Sequence, residues 1–296
     1  MQTTDGYAPF GDYETWYQIK GDLGSGTAPL IILHGGPGCT HDYVQAFGDI
    51  AKSGRPVVLY DQIGNGRSTH LPTQGADFWT VEFFIAELHN LIAHLGVQGG
   101  YHILGQSWGG MLGAEVAVLR PQGLLSLVIA DSPASMLLWV SEANRLRQDL
   151  PPDVQAALTQ HEADGTTDDP AYAAAVEVFN AKHVCRIVPM PPEVGRTFKA
   201  IAHDPTVYHT MNGPSEFHVI GSLKNWTIVD RLHQINVPTL LISGFYDEAT
   251  AATVQPYADN IPDVRWQIFP NSSHMPHVEE PEDCLKAVID FIDAVA

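Results

Sequence analysis

Six short apolar runs punctuate the chain, each closed by glycine or an acid. They are PLIILHGG (29–36), PVVLYDQIGNG (56–66), YHILGQS (101–107), LLSLVIADSP (124–133), PTLLISGFYDE (238–248) and VRWQIFPNSSH (264–274). Continuous apolar runs bounded by turn residues suit strands buried on both faces, the signature of a parallel sheet. Between them the period changes. In VEFFIAELHNLIAHLG (81–96), Val81, Phe84, Ile85, Leu88, Leu91, Ile92 and Leu95 recur at helical spacing, and Gly96 supplies a stop. Strand and helix in alternation predict an α/β fold with right-handed crossovers.

The alternation lapses between about 134 and 235. LPPDVQAAL (150–158), TTDDPAYAAAVEVFNAKHV (166–184) and VPMPPEVG (188–195) have helical pieces and proline breaks, with no strong strand before NVPTLLISG (236–244). This reads as a helical cap, residues 134–235, inserted into a core made of residues 1–133 and 236–296. No internal repeat interrupts the reading.

Composition narrows the class. With 296 residues, 45% of them hydrophobic, the chain can bury one large core. A net charge of −19 argues against non-specific binding to nucleic acid or to anionic membranes, and suits a cationic ligand. The three cysteines, Cys39, Cys185 and Cys284, lie far apart and form neither a disulfide framework nor a zinc pattern. The N-terminal MQTTDGYAPFGDYETW lacks the basic and apolar regions of a secretory signal. No run approaches the roughly 20 apolar residues of a membrane span. A soluble, cytoplasmic protein is the expectation.

The chemistry gathers where the runs end, which is where open α/β sheets bind ligands. Ser107 sits in G-Q-S-W-G after YHIL, the pattern of a strand–turn–helix elbow that presents a nucleophile. Asp247 follows TLLISG and His274 follows WQIFP. The order Ser, Asp, His is that of the α/β hydrolases. A serine hydroxyl is a weak nucleophile near neutral pH and needs a base, for which histidine has the suitable pKa. That histidine needs an acid to fix its tautomer and to stabilise the imidazolium. Glu248 is the local rival of Asp247, and His277 of His274. The oxyanion donors expected are the N–H groups of Trp108 and of Gly36, in H34-G35-G36-P37-G38. His34 is expected to shape that loop, and Asp61 to fix a turn. No histidine pair with metal spacing coincides with a nearby acid, so neither metal nor cofactor is expected.

HGGPG (34–38), DQIGNGRS (61–68), GQSWGGML (105–112), FNAKHVCR (179–186), MNGPSEF (211–217) and GFYDEAT (244–250) together resemble the proline iminopeptidase family, in particular its branch with the tricorn-interacting aminopeptidase. The resemblance spans nearly the whole chain. One departure is Ile63, where many members carry Arg in D-Q-R-G. The resemblance implies an α/β-hydrolase fold, with a mostly parallel sheet flanked by helices and an inserted helical cap. It implies removal of an N-terminal residue, often proline, from short peptides whose free amine is held by glutamates. By motif match these are Glu216 and Glu248, with Glu142 a weaker candidate. Such acids suit the task, because a desolvated cation needs acidic partners. The same machinery would serve an L-amino acid amidase that releases ammonia from substrates such as prolinamide. An esterase without an amine anchor would have no use for these acids.

Overall fold

A computed structural model describes residues 2–295. The runs form one eight-stranded sheet of β1 (Thr3–Phe10), β2 (Tyr13–Lys20), β3 (Leu30–Leu33), β4 (Val57–Tyr60), β5 (Tyr101–Gln106), β6 (Leu124–Ala130), β7 (Thr239–Gly244) and β8 (Val264–Phe269). The order across the sheet is β1-β2-β4-β3-β5-β6-β7-β8. Strands β3 to β8 run parallel to one another, as expected. β1 and β2 pair antiparallel with each other, and β2 pairs antiparallel with β4.

Two features depart from the sequence reading. The N-terminal hairpin has no continuous apolar run: β1 contains Asp5, Gly6 and Pro9 and is mostly exposed. Its hidden signal is the two-residue Gly11-Asp12 turn, with Gly11 at φ +61°, followed by β2, in which Trp16 is buried. β8 is not buried on both faces: Gln267 and Ile268 are exposed, because β8 is the far edge of the sheet.

The central strands are buried throughout: every residue of β3, β4, β5 and β7 lies in the interior. At about 1.5–3 kcal/mol for each fully buried aliphatic side chain, this hydrophobic ladder fixes the register. Helix α1 (Val81–His94) occupies the predicted segment, with Thr80 accepting a hydrogen bond from the Phe83 N–H at 3.2 Å as its N-cap. Helix α2 (Trp108–Val118) is buried on every side, which explains why its sequence shows no polar face.

Between β6 and β7 come α3 (Met136–Arg147), α4 (Pro152–Asp164), α5 (Pro170–His183), α6 (Pro192–His203) and α7 (Thr206–Met211). The prolines that read as breaks start α4, α5 and α6, where the missing N–H costs nothing. Part of this region has its own small core, in which Ala143, Leu146, Leu158, Tyr172, Phe179 and Phe217 pack together. The chain returns to the sheet through a half-buried tie: Glu115 of α2 accepts two hydrogen bonds from Arg231 (2.6 and 2.7 Å) and one from Trp226 Nε1 (2.8 Å). Helices α8 (Ala251–Asn260), α9 (Pro276–Glu279) and α10 (Pro281–Val295) complete the fold. No helix among the described residues is long and apolar enough to cross a membrane.

Candidate active site

The strand order turns back at β3, which lies between β4 and β5. The loops leaving the carboxyl ends of β3 and β5 therefore diverge across a crevice. From β5 the chain enters α2 in a single residue. Ser107 has φ +57° and ψ −123°, a conformation that L-residues rarely adopt, and its N–H is held by the Ala130 carbonyl at 2.8 Å. Gly105 is required by the tightness of this elbow, since a Cβ there would stand 2.0 Å from the Gly109 oxygen.

The loop after β3 is pinned beside the elbow. His34 Nε2 accepts from the Gln62 N–H at 3.0 Å, and its Nδ1 faces the Gly35 carbonyl at 3.0 Å. Burial pushes the His34 pKa down to about 4, so the ring is a neutral strut that shapes the loop, as expected. Gln62 also donates to the His34 carbonyl (2.9 Å) and accepts from Trp108 Nε1 (2.9 Å), joining the two segments that carry Gly36 and Trp108. Gly36 has φ +108°, which only glycine adopts freely. Asp61 accepts from the N–H groups of His41 (2.7 Å) and Arg67 (2.9 Å), consistent with its expected turn-fixing part.

A second tie was not legible in the sequence. The Tyr43 hydroxyl accepts from the Gly35 N–H (2.6 Å) and donates to Gln106 Oε1, and Gln106 Nε2 donates to the His274 carbonyl at 2.8 Å. Three loops that are distant in sequence thus meet at one buried amide. Tyr43 lies in a stretch without a motif, and Gln106 reads as the variable position of G-x-S-x-G.

His274 Nδ1 lies 2.6 Å from Asp247 Oδ1, with both side chains buried. Burial alone would lower the His274 pKa. The charge and hydrogen bond of Asp247, joined by Glu216 and Glu279, outweigh it and raise the pKa above 6.5. The rival, His277, is spent elsewhere: Nε2 faces the Tyr43 carbonyl at 3.0 Å, the ring stacks on Phe47, and burial pushes its pKa down to about 3.

Ser107, Gly36, His274, Glu216 and Glu248 line one cavity of about 240 Å³. Its remaining wall is largely apolar and includes Val176, Val184, Phe198 and Ile201 of the inserted segment. Glu216 reaches the cavity between α7 and β7, with Oε1 accepting from the Tyr208 hydroxyl at 2.6 Å. Burial raises its pKa. Glu248 is 1% exposed and neither carboxyl oxygen has a hydrogen-bond partner. Burial first, then the charges of Glu216 and Asp247, hold it well above the usual carboxyl range. Glu142 is not brought into this group: it is tied to Arg145 (2.8 Å) and Thr250 (2.8 Å) outside the cavity. Ile63 is fully buried, and its N–H donates to Glu87 at 2.9 Å.

Comparison with known proteins agrees with this architecture. The model of the alpha/beta hydrolase fold matches residues 28–175. The proline iminopeptidase of Lactobacillus delbrueckii subsp. lactis is 38% identical over 294 residues, 99% of each chain. The crystal structure of VinJ superposes with a TM-score of 0.98 at 54% identity, covering 99% of both chains. That of the proline iminopeptidase of Mycobacterium smegmatis gives 0.91 at 48% identity, covering 99% of this chain and 98% of the other. The chain belongs to the proline iminopeptidase family of α/β hydrolases.

Proposed function

We propose that the chain is a serine aminopeptidase that releases an N-terminal residue, proline favoured, from short peptides and amides. The observation that carries this reading is the shared cavity: a strained serine, a histidine paired with a buried acid, and two glutamates facing the same space.

In the mechanism that follows, His274 takes the proton of Ser107 as the hydroxyl attacks the carbonyl of the substrate's first residue. Asp247 keeps the Nδ1–H of His274 in place and stabilises the imidazolium. The N–H groups of Gly36 and Trp108 bind the developing oxyanion. Neither meets a protein acceptor among the described residues. His274 then protonates the leaving amine, and water hydrolyses the acyl-enzyme along the reverse path. No proton is lost or gained over the cycle, and the chemistry calls on no cofactor.

Glu216 and Glu248 anchor the substrate's ammonium. Burial by itself favours their protonated forms. A cationic amine entering between them favours ionisation of both, so a free N-terminus is selected by the charge it brings. A blocked amine would leave the same acids unpaired. Residues 134–235 form the cap that limits access to short substrates, over a core of residues 1–133 and 236–296.

An amino acid amidase would use the same groups. The test is a comparison of prolyl-arylamide, its N-acetylated form and prolinamide, using wild type and Ser107→Ala. Cleavage of the free-amine arylamide, with the acetylated one untouched and the alanine variant inert, is expected. Equal cleavage of the acetylated compound would overturn the amine anchor, and full activity of Ser107→Ala would overturn the nucleophile.

A further inference from the structure

Asp131 lies at the end of β6, one residue beyond its last sheet partner, and is fully buried. Its backbone has φ +52°, in the left-handed region that aspartate tolerates better than most residues. The segment is clamped to the neighbouring strand from both sides. The Asp131 N–H donates to the Ile242 carbonyl at 2.8 Å, and Oδ1 accepts from the Gly244 N–H at 3.2 Å. Gly244 closes β7 three residues before Asp247, so this clamp holds Asp131 against the base of the loop that carries Asp247.

The oxygen inventory is one-sided. Asp247 Oδ1 accepts from His274 Nδ1 (2.6 Å) and from the Ala249 N–H (2.7 Å). Asp247 Oδ2 and Asp131 Oδ2 are both buried and neither has a hydrogen-bond partner. Two bare carboxylates cannot share a dry pocket, because their repulsion is unscreened, whereas one carboxylic acid and one carboxylate satisfy each other with a single proton. Other titratable groups that act on Asp131 through their charge or are acted on by it include Glu279 of α9, Cys284 of α10 and Tyr43 of the loop after β3. None of these brings a positive charge. Burial first, then Asp247, push Asp131 well above the ordinary carboxyl range, in keeping with this inventory.

We propose that Asp131 is a positioning residue for the reaction: its neutral carboxyl donates from Oδ2 to Asp247 Oδ2, leaving Oδ1 for His274. The proton stays between the two acids throughout turnover, and the pair carries one negative charge. Two consequences follow. The carboxylate is held from both sides, which fixes the plane in which it meets the imidazole. The donated hydrogen bond also withdraws charge from Asp247, so it moderates the rise in His274 basicity. The proposal rests on the Ser107–His274–Asp247 reading and adds a fourth group to it.

The test compares Asp131→Asn, whose amide can still donate, with Asp131→Leu, which is similar in size and cannot. Each is measured for kcat, KM and the acid limb of kcat/KM against pH. Leu is expected to lower kcat at least about tenfold with little change in KM, and to move the acid limb up by roughly one pH unit. Asn is expected to recover most of both effects. A Leu variant with the wild-type limb, or an Asn variant as impaired as Leu, would overturn the proposal. Infrared difference spectroscopy of wild type against Asp131→Asn supplies a readout independent of activity, usable even if the Leu variant does not fold. Loss of one protonated-carboxyl band at neutral pH is expected, and an unchanged band overturns the shared proton. Ser107→Ala separates the two readings: if it stays active the catalytic reading fails, whereas an inert Ser107→Ala beside an indifferent Asp131→Leu sinks only the role of Asp131.

Discussion

His274 lies between two acids that are adjacent in sequence: Nδ1 is 2.6 Å from Asp247 Oδ1, and Nε2 is 3.8 Å from Glu248 Oε1. The first distance is a charge-assisted hydrogen bond, and the second is too long to be one. One peptide step thus separates a carboxyl bound to the base from a carboxyl left free beside it. The loop after β7 presents both at once because the Glu248 N–H is held by the His183 carbonyl at 3.2 Å, which anchors the turn to the end of α5.

That free carboxyl gives the first prediction. Glu248→Gln keeps the shape of the side chain and removes the charge. For a substrate with a free amine, kcat/KM is expected to fall by about 30- to 1,000-fold, the range for truncating one partner of a buried charge pair at about 2–4 kcal/mol. An ester of similar size without an amine should lose far less. Glu216→Gln should follow the same pattern more mildly, since Tyr208 still donates to its Oε1. Parallel kinetics on the two substrates decide the matter; equal losses would mean that the acids serve the general base instead.

The pH profile follows from His274. Its pKa in the folded protein is raised above 6.5, and only the neutral ring can accept the serine proton. The acid limb of kcat/KM should therefore lie above pH 6.5, with activity rising as pH increases through it. In Asp247→Asn the largest raising influence is gone while burial remains, so the limb should move down as the maximal rate collapses. Profiles with a saturable free-amine substrate test this, and a wild-type limb below pH 6 would contradict it.

The fold class was legible in the sequence because apolar runs closed by glycine or an acid mark strands buried on both faces. The elbow at Ser107 is readable because its tightness leaves a local signature: Gly105 is forced by contact with Gly109, and it sits in the motif. The N-terminal hairpin was missed because an edge strand with one buried aromatic, Trp16, does not resemble a buried run. Tyr43 and Gln106 were missed for another reason. Their hydrogen bonds join positions 63 residues apart, and no local pattern encodes a long-range partner. Asp131 read as the acid that closes a strand, and its proximity to Asp247 exists only once β6 and β7 pair.

A stability prediction comes from Glu87, whose side chain faces inward on α1. Oε1 accepts from Thr15 (2.7 Å) and the Ile63 N–H (2.9 Å), while Oε2 is buried without a partner. Burial outweighs these bonds and raises its pKa from 4.5 to about 8. The folded state therefore binds the proton more tightly than the unfolded chain. Its stabilising contribution is complete below pH 4.5 and is lost as pH rises toward about 8, at up to about 1.4 kcal/mol per pH unit. Glu87→Gln keeps both accepted bonds and removes the titration. Urea midpoints across that window should converge at acid pH and separate in favour of the variant at alkaline pH; parallel curves would count against the assignment.

The Tyr43 hydroxyl is the most economical place to test whether the loops act as one unit. Tyr43→Phe retains the ring against His277 but strands two buried groups, the Gly35 N–H and Gln106 Oε1. Each unsatisfied group costs about 1–3 kcal/mol, so a drop in unfolding free energy of a few kcal/mol is expected. The larger effect should fall on kcat. The Gly35 N–H precedes the proposed oxyanion donor Gly36, and Gln106 holds the His274 carbonyl at 2.8 Å, so loosening the hydroxyl loosens donor and base together. A misplacement of about 1 Å can cost on the order of 100-fold in rate. The variant should therefore lose ten- to one-hundred-fold in kcat at a temperature where it is still folded, with KM changed by much less. If kcat held while stability fell, the tie would be structural only, and the three loops would keep their alignment through β3 and β5 alone.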